Sequence, residues 1–316
     1  MSANRQPVKQ LDHLIIRADD PQPLFKLLSE TFELPIAWPL CIYPSFTSGG
    51  VTLGNLYLEI ISVESESSSN NSPDARYVAM AFETDALDES VRELDRRGIP
   101  RGPVVPNVEV VADGTMRKLY ANSILGKLLG RSFWIDYMIF MGRLPGASAM
   151  ANPGAGGALV RWGIKKVMNG KLVFLVEYAY ENFKDLPHWS EFKNHEEKRA
   201  ADKAELDARD GGALGCLSVK EIVASVKDFE DVQTRWRKFL GASAEVAPGV
   251  WEIADGPQVR LVSSPENGIK ALVLKVSSLK RAETFLSEKG MLGALADGQL
   301  GIAPEKIYGL DVRLVE

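Results

Sequence analysis

A short apolar segment followed by a polar turn and an amphipathic helix pattern recurs four times along the chain. The four segments are residues 11–18, 77–84, 219–226 and 271–276. Apolar runs of this length are typical of strands that are buried on one or both faces. In the stretch after each run, apolar residues return every three or four positions, which indicates a helix with one buried face. The pattern therefore predicts four strand–helix units.

The turns and helix ends follow the same repeat. Asp19 and Asp20 precede the first helix pattern, where a carboxylate can cap the helix, and Pro21 suits the first turn. The second and fourth helix patterns align without a gap and end at Gly98 and Gly290. Glycine at this point is typical of a left-handed residue that closes a helix.

Further short strand patterns follow each helix. In the first copy they cover residues 50–53 and 56–63, joined by the tight-turn dipeptide at 54–55, and in the third copy residues 250–253 and 259–263. One strand, one helix and about three strands form the repeating unit. The predicted fold class is therefore α+β, built from four βαβββ modules.

Two regions interrupt the repeat. Residues 112–170 form a long insertion, predicted to be a lid or a wall of a substrate pocket, with Asp136 and Tyr137 in a strand pattern as candidate wall residues. Residues 183–212 are rich in charge and predict a helical linker, in which His195 is expected to face solvent. We thus expect one domain over residues 1–182, a linker over 183–212 and a second domain over 213–316.

Composition narrows the class of protein. The chain has 316 residues, 45% of them hydrophobic, and a net charge of −5, which gives no electrostatic reason to expect nucleic acid as a partner. The two cysteines are typical of a reducing compartment. With no apolar segment typical of a signal peptide or a membrane span, we expect a cytoplasmic protein, monomeric or homodimeric, that does not bind membranes.

Two short motifs connect the repeat to a known group of proteins. Residues 11–13 read L-D-H at the start of the first strand pattern, and residues 54–59 read G-N-L-Y-L-E in the last strand pattern of the first module. Together with the βαβββ repeat, they resemble the vicinal oxygen chelate superfamily, which includes glyoxalases, extradiol dioxygenases and bleomycin-resistance proteins. The resemblance implies two glyoxalase-like domains, each a cup-shaped sheet, with a divalent metal ion on the inner face.

The resemblance also implies which residues hold that ion. Ligands come from the first and last strands of each module, which here correspond to His13, Glu59 and Glu177, while Ala79 replaces the second histidine. Either carboxylate, Glu59 or Glu177, can double as a general base if substrate displaces it from the ion. Imidazole and carboxylate ligands suit Fe, Mn, Ni or Zn.

The second half is expected to lack this ligand set. Aligning Asp228 with Asp20 places Glu221 opposite His13 and Arg260 opposite Glu59, and Ala271 takes the position of Ala79. One carboxylate beside an arginine is not a metal site, so residues 214–316 are expected to be a structural or substrate-shaping duplicate of the first half.

These residues predict a metal-dependent enzyme, of the lyase, isomerase or dioxygenase type, acting on a small oxygen-rich or aromatic metabolite. One alternative is a metal-free protein that sequesters an aromatic compound, which the alanine at position 79 favours. Another is a metal-free lyase or isomerase with Glu59 as its base. A purely structural interpretation treats His13 as a hydrogen-bonded core residue and Glu59 as the ion-pair partner of Arg17 or of another buried base.

Overall fold

Two eight-stranded mixed sheets, each flanked by helices, make up the fold in a computed structural model. The structure describes residues 6–42, 46–62, 75–110, 116–142, 170–183, 189 and 191–316. The first sheet contains β1 (Gln10–Arg17), β2 (Ile36–Ile42), β3 (Thr47–Thr52), β4 (Tyr57–Ser62), β5 (Arg76–Glu83), β6 (Val105–Val110), β7 (Met116–Leu125) and β8 (Leu172–Tyr178). The second contains β9 (Cys216–Val226), β10 (Glu245–Ala247), β11 (Val250–Trp251), β12 (Gln258–Ser263), β13 (Gly268–Val276), β14 (Leu292–Ala296), β15 (Gln299–Ile302) and β16 (Asp311–Val315).

The two sheets have the same topology. Their strand orders are β2-β3-β4-β1-β5-β8-β7-β6 and β10-β11-β12-β9-β13-β16-β15-β14. In each sheet the first strands of two modules pair antiparallel at the centre, and each pairs in parallel with the last strand of its own module. The prediction of an α+β chain with four βαβββ modules in two domains is confirmed.

The helices lie where the repeat predicts them, with two additions. The described helices are α1 (Pro21–Lys26, continued by a π-helical turn at Leu27–Thr31), α2 (Leu87–Arg96), α3 (Phe133–Gly142), α4 (His195–Ala208), α5 (Phe229–Leu240) and α6 (Leu279–Glu288). The backbone of Gly98 and Gly290 has φ of +69° and +63°, as the predicted left-handed helix ends require. None of the helices in the described ranges combines the length and the apolar character needed to cross a membrane.

The predicted insertion needs two corrections. Strand β7 pairs with β6 and β8, so it belongs to the second module, and the inserted segment begins after Leu125 rather than at residue 112. The segment with Asp136 and Tyr137 is the helix α3 and not a strand. Its nearly unbroken apolar sequence has no clear period, and such runs fit a helix or a strand equally well. Residues 143–169 lie outside the described residues.

The largest apolar cluster among the described residues joins the two halves. The ring of Phe82 on β5 contacts Trp236 and Phe239 of α5, with centroids 6.1 and 5.3 Å apart, and Phe32 contacts Phe285 of α6 at 6.2 Å. The helix-covered faces of both sheets therefore share this core. We call the opposite faces the first cup, which carries His13, Ile15, Glu59, Ala79 and Phe174, and the second cup, which carries Glu221, Val223, Arg260, Ala271 and Arg313.

Two of the described helices cover the first cup. Ile135 and Ile139 of α3 pack in one apolar cluster with Ile15 and Ala79. Helix α4, from the charged segment between the halves, buries His195, Lys198, Asp202 and Leu206. The first cup thus has an apolar end beneath α3 and a polar end beneath α4.

Candidate active site

A β-bulge at the start of β1 brings two consecutive polar side chains into the first cup. Leu11 pairs with Phe82 and His13 pairs with the adjacent Ala81, so Asp12 is the extra residue on β1. A regular strand would direct Asp12 and His13 to opposite faces. The bulge lets both point the same way, and His13 Nδ1 lies 2.6 Å from Asp12 Oδ2.

The structure brings His13 and Glu59 together. His13 Nε2 lies 3.3 Å from Glu59 Oε2, and the Ser48 hydroxyl donates to Glu59 Oε1 at 2.6 Å. Trp38 Nε1 in turn donates to the Ser48 oxygen at 3.2 Å. Burial alone would lower the pKa of His13, but the hydrogen bond to Asp12 and the charge of Glu59 outweigh it, so the pKa is raised. Glu59 is therefore held by His13 and Ser48, and the structure gives it no ion pair with Arg17 in the described ranges.

Asp12 is the hub of the polar end of the cup. Its Oδ2 accepts from Tyr178 OH at 2.7 Å as well as from His13, and its Oδ1 accepts from Arg199 of α4 at 2.5 Å. The residue is only 1% exposed. Burial would raise the pKa of Asp12, but the nearby His195, Arg199 and His13 hold it well below its ordinary value. Asp12 is thus an ionised carboxylate that fixes the His13 ring and ties α4 to the sheet.

His195 is buried, so the expectation that it faces solvent is wrong. Its side chain is 4% exposed, with Nδ1 2.9 Å from Glu83 Oε1 and Nε2 3.5 Å from Asp12 Oδ1. Neither nitrogen has hydrogen-bond geometry with any described group. The ring lies among four aromatic side chains whose centroids are 4.9–6.2 Å away, those of Tyr57, Tyr178, Tyr180 and Trp189.

A weak signal for this placement exists in the sequence. Asn194 caps α4 by accepting from Glu197 N at 2.8 Å, so the helix begins at His195. The buried positions of α4 are 195, 198, 202 and 206, which is helical spacing. Three of these four residues are polar, so a search for an apolar stripe misses the buried face.

In a second polar contact between α4 and the sheet, a lysine and a carboxylate pair with each other. Lys198 Nζ lies 2.6 Å from Asp202 Oδ2, and Tyr57 OH donates to the same oxygen at 2.7 Å. Burial lowers the pKa of Lys198, and Asp202 opposes that effect. The charges of Lys198 and Asp202 therefore compensate each other beside the Asp12 hub.

Glu177 is not brought to His13 and Glu59. Glu59 lies opposite Ile15, and the matching position of the second module, opposite Ala81, is Phe174. Glu177 is three residues further along β8, so it points to the other face of the sheet, and its carboxylate is 3.3 Å from Lys118 Nζ. The ring of Phe174 instead contacts the ring of His13, with centroids 5.7 Å apart.

The donor set at the metal positions of the resemblance is therefore incomplete. His13 and Glu59 each offer one ligand atom, while Ala79 and Phe174 offer none. Catalytic zinc sites usually have three protein ligands, so these four positions alone do not fit a divalent ion. Beside them, however, Asp12, Glu83 and His195 form a buried group whose ligand atoms all lie within 4.8 Å of one another.

The second cup carries different chemistry at equivalent positions. Arg260 Nη2 and Nε lie 2.6 and 2.7 Å from Glu221 Oε2, and Arg313 binds Asp311 at 2.6 Å. The strand register puts Glu221 in the place of His13 and Arg260 in the place of Glu59, as the sequence repeat predicts. Ion pairs thus replace the imidazole–carboxylate pair.

Comparison with known proteins finds solved structures with a similar fold. No family model matches the chain, and no curated protein matches it in sequence. Among solved structures, the chain is similar to the 2,3-dioxygenase LapB from Pseudomonas sp. KL28, with a TM-score of 0.53 and 10% identity over 98% of this chain and 92% of that one. It is also similar to homoprotocatechuate 2,3-dioxygenase from Brevibacterium fuscum in complex with 3,4-dihydroxyphenylacetate, with a TM-score of 0.51 and 8% identity over 99% of this chain and 82% of that one.

A hypothetical protein from Staphylococcus aureus is equally similar, with a TM-score of 0.53 and 9% identity over 96% of this chain and 98% of that one. At such low identity the likeness establishes the fold alone. The chain has the two-domain fold of the vicinal oxygen chelate proteins, and the resemblance indicated by its sequence is confirmed at this level.

Proposed function

We propose that the protein is an enzyme of the vicinal oxygen chelate type, acting on a small oxygen-rich or aromatic metabolite in the first cup, with His13 and Glu59 at its reactive centre. The observation that carries the proposal is the 3.3 Å approach of His13 Nε2 to Glu59 Oε2 on the cup face of the first sheet. A carboxylate and an imidazole this close can transfer a proton and hold a substrate oxygen in one step.

The roles of the two residues follow from their partners. Asp12 binds His13 Nδ1, so the ring is fixed with Nε2 directed towards Glu59. Ser48 holds one oxygen of Glu59 and leaves the other facing His13. Glu59 Oε2 accepts a proton from a carbon or hydroxyl of the substrate, and the protonated Nε2 of His13 stabilises the negative charge that develops on the neighbouring oxygen.

A divalent ion, with Fe, Mn, Ni or Zn as the candidates, is part of the proposal as the cofactor. When bound, such an ion supplies Lewis-acid stabilisation of an oxyanion. Of the ligands implied by the resemblance, His13 and Glu59 lie in the first cup, whereas Glu177 lies on the opposite face. We therefore leave Glu177 out of the proposed centre.

The proposed substrate class follows from the apolar surface of the first cup and from the similar structures. Ile15, Ala79 and Phe174 give an apolar surface next to the His13–Glu59 pair, which suits a ring or a short carbon skeleton carrying adjacent oxygens. Two similar structures are 2,3-dioxygenases, one of them in complex with an aromatic dihydroxy compound. These enzymes support the aromatic class without naming the substrate.

The test uses the purified full chain, supplied with Mn²⁺, Fe²⁺, Ni²⁺ or Zn²⁺, and a panel of catechols and 2-hydroxy or 2-oxo carbonyl compounds. Oxygen uptake and proton NMR report dioxygenase and lyase or isomerase chemistry respectively. Once a substrate is found, Glu59→Gln should lower kcat by about 10²–10⁴-fold, the usual contribution of a general base. Glu177→Gln is the matched control and should keep the activity. Equal activity of the wild-type and Glu59→Gln chains would refute the proposed centre.

A binding protein that sequesters an aromatic compound is the second candidate function. The aromatic side chains around the centre, which include Trp38, Tyr57 and Trp189, favour it. Such a protein would bind 3,4-dihydroxyphenylacetate in calorimetry and release it chemically unchanged. Neither the wild-type chain nor Glu59→Gln would then convert any compound of the panel.

A further inference from the structure

We propose that Asp12, Glu83 and His195 hold a divalent cation, and that its histidine ligand comes from the linker helix α4 rather than from the sheet. This inference rests on the proposed function and deepens it, because it assigns the cation to residues other than those that the resemblance implies. It also gives α4 a chemical role in the first cup.

The three side chains come from separate elements and meet in a buried space. Asp12 is the bulge residue of β1, Glu83 ends β5, and His195 begins α4. Their ligand atoms lie within 4.8 Å of one another, and all three residues are buried. Two carboxylates and one imidazole form a ligand set that suits Mn, Fe or Zn.

The geometry of His195 is a second, independent observation. Its Nδ1 lies 2.9 Å from Glu83 Oε1 and its Nε2 lies 3.5 Å from Asp12 Oδ1, yet neither buried nitrogen has hydrogen-bond geometry with a described group. Buried polar atoms that form no hydrogen bond destabilise a fold and are rare in native proteins. Four aromatic rings surround the imidazole, with centroids 4.9–6.2 Å from its own. A cation on one of the nitrogens would supply the partner.

The carboxylates of the site also favour a cation. Asp12 and Glu83 are both buried, and a buried carboxylate needs a compensating positive charge beside it.

The polar side chains next to the three proposed ligands already have partners of their own. Lys198 is paired with Asp202, and Lys9, near Glu83, binds Asp85 and Glu196. Gln10 donates to the other oxygen of Glu83. Arg199 shares Asp12 Oδ1 with the cation, and a carboxylate oxygen has lone pairs for both.

Metal binding itself is the test, with Mn²⁺ alone as the probe and without substrate. Electron paramagnetic resonance and calorimetry give the affinity and the stoichiometry for the full chain. We expect one Mn²⁺ per chain, and we expect His195→Ala and the nearly isosteric Glu83→Gln to weaken binding by at least about 100-fold, since each removes a direct ligand. Glu59→Gln should change the affinity by less than tenfold, and Glu221→Gln in the second cup should not change it. Circular dichroism verifies that each variant is folded.

Two outcomes would overturn the inference in different ways. If Glu59→Gln abolishes Mn²⁺ binding while Glu83→Gln and His195→Ala retain it, the ion sits at the His13–Glu59 pair, and the proposed function survives without the inference. If the wild-type chain binds neither Mn²⁺ nor Zn²⁺, the inference fails. The kcat ratio of wild-type and Glu59→Gln chains, measured without added metal, then still decides the role of the His13–Glu59 pair.

Discussion

The first and second cups share one backbone plan and differ in a few side chains. In both, a central strand of one module lies between the last strand of that module and the first strand of the next, with the same register. His13 and Glu59 of the first cup correspond to Glu221 and Arg260 of the second. Ala79 corresponds to Ala271, so neither cup has a donor at that position.

The difference lies in how completely the polar groups are paired. In the second cup, two nitrogens of Arg260 bind the same carboxylate oxygen of Glu221, so the two charges compensate each other. In the first cup, His13 and Glu59 are each held from behind, by Asp12 and Ser48, and meet at 3.3 Å. Asp12 and Ser48 bind Nδ1 of His13 and Oε1 of Glu59, so Nε2 and Oε2 are available to a ligand. This availability distinguishes the candidate active site from the ion pair in the second cup.

The largest expected effect comes from exchanging the matching residues of the two cups for the same amide. His13→Gln should lower kcat/KM by about 10²–10⁴-fold, because the substitution removes the proton-carrying nitrogen next to Glu59. Glu221→Gln should leave kcat/KM within about threefold of the wild type, since its cup is not the reactive one. Steady-state kinetics on the substrate identified as above measures both. A larger loss for Glu221→Gln than for His13→Gln would reverse the assignment of the two cups.

The next effect concerns stability. Arg199→Met should lower the free energy of unfolding by about 3–5 kcal/mol, because the buried carboxylate of Asp12 loses the guanidinium that pairs with it. Arg313→Met in the second cup should cost less than about 1 kcal/mol, since Arg313 and Asp311 are both about 41% exposed. Urea titrations at pH 7 give both values. Similar losses for the two variants would show that burial does not separate the cups.

The smallest effect is a difference in thiol reactivity between the sheets. Burial raises the pKa of Cys216 on β9 to about 12, so at pH 8 only about one thiol in ten thousand is a thiolate. Cys41 on β2 of the first sheet is partly exposed. A thiol-specific chromogenic reagent should therefore modify one cysteine per folded chain, and Cys41→Ser should remove that reaction. Rapid modification of Cys216 would mean that the core beneath β9 opens readily.

The repeat in the sequence was sufficient to predict the modules, because strand and helix periods are local properties. The predicted strand at residues 219–226 lies within β9, and the helix patterns that end at Gly98 and Gly290 are α2 and α6. The alignment from Asp228 also predicted which residues stand in the places of His13 and Glu59 in the second cup.

The candidate site was predicted less completely, since its remaining members depend on contacts between distant segments. Strict alternation directs Asp12 away from His13, and only the bulge brings it into the cup. His195 belongs to a buried stripe made largely of polar residues, which hydropathy does not detect. The place equivalent to Glu59 in β8 is set by the pairing with β5, which selects Phe174 instead of Glu177. The third histidine of the sequence, His188, lies outside the described residues.

Helix α4 lies in the connection between the two halves and supplies buried side chains to the first cup. A fragment ending at residue 182 would carry every strand of the first sheet but would lose Arg199 and His195, exposing Asp12 and Glu83 to water. Lengthening or shortening the connection would shift both side chains relative to the sheet. The spacing from β8 to the start of α4 therefore determines where Arg199 and His195 meet the sheet.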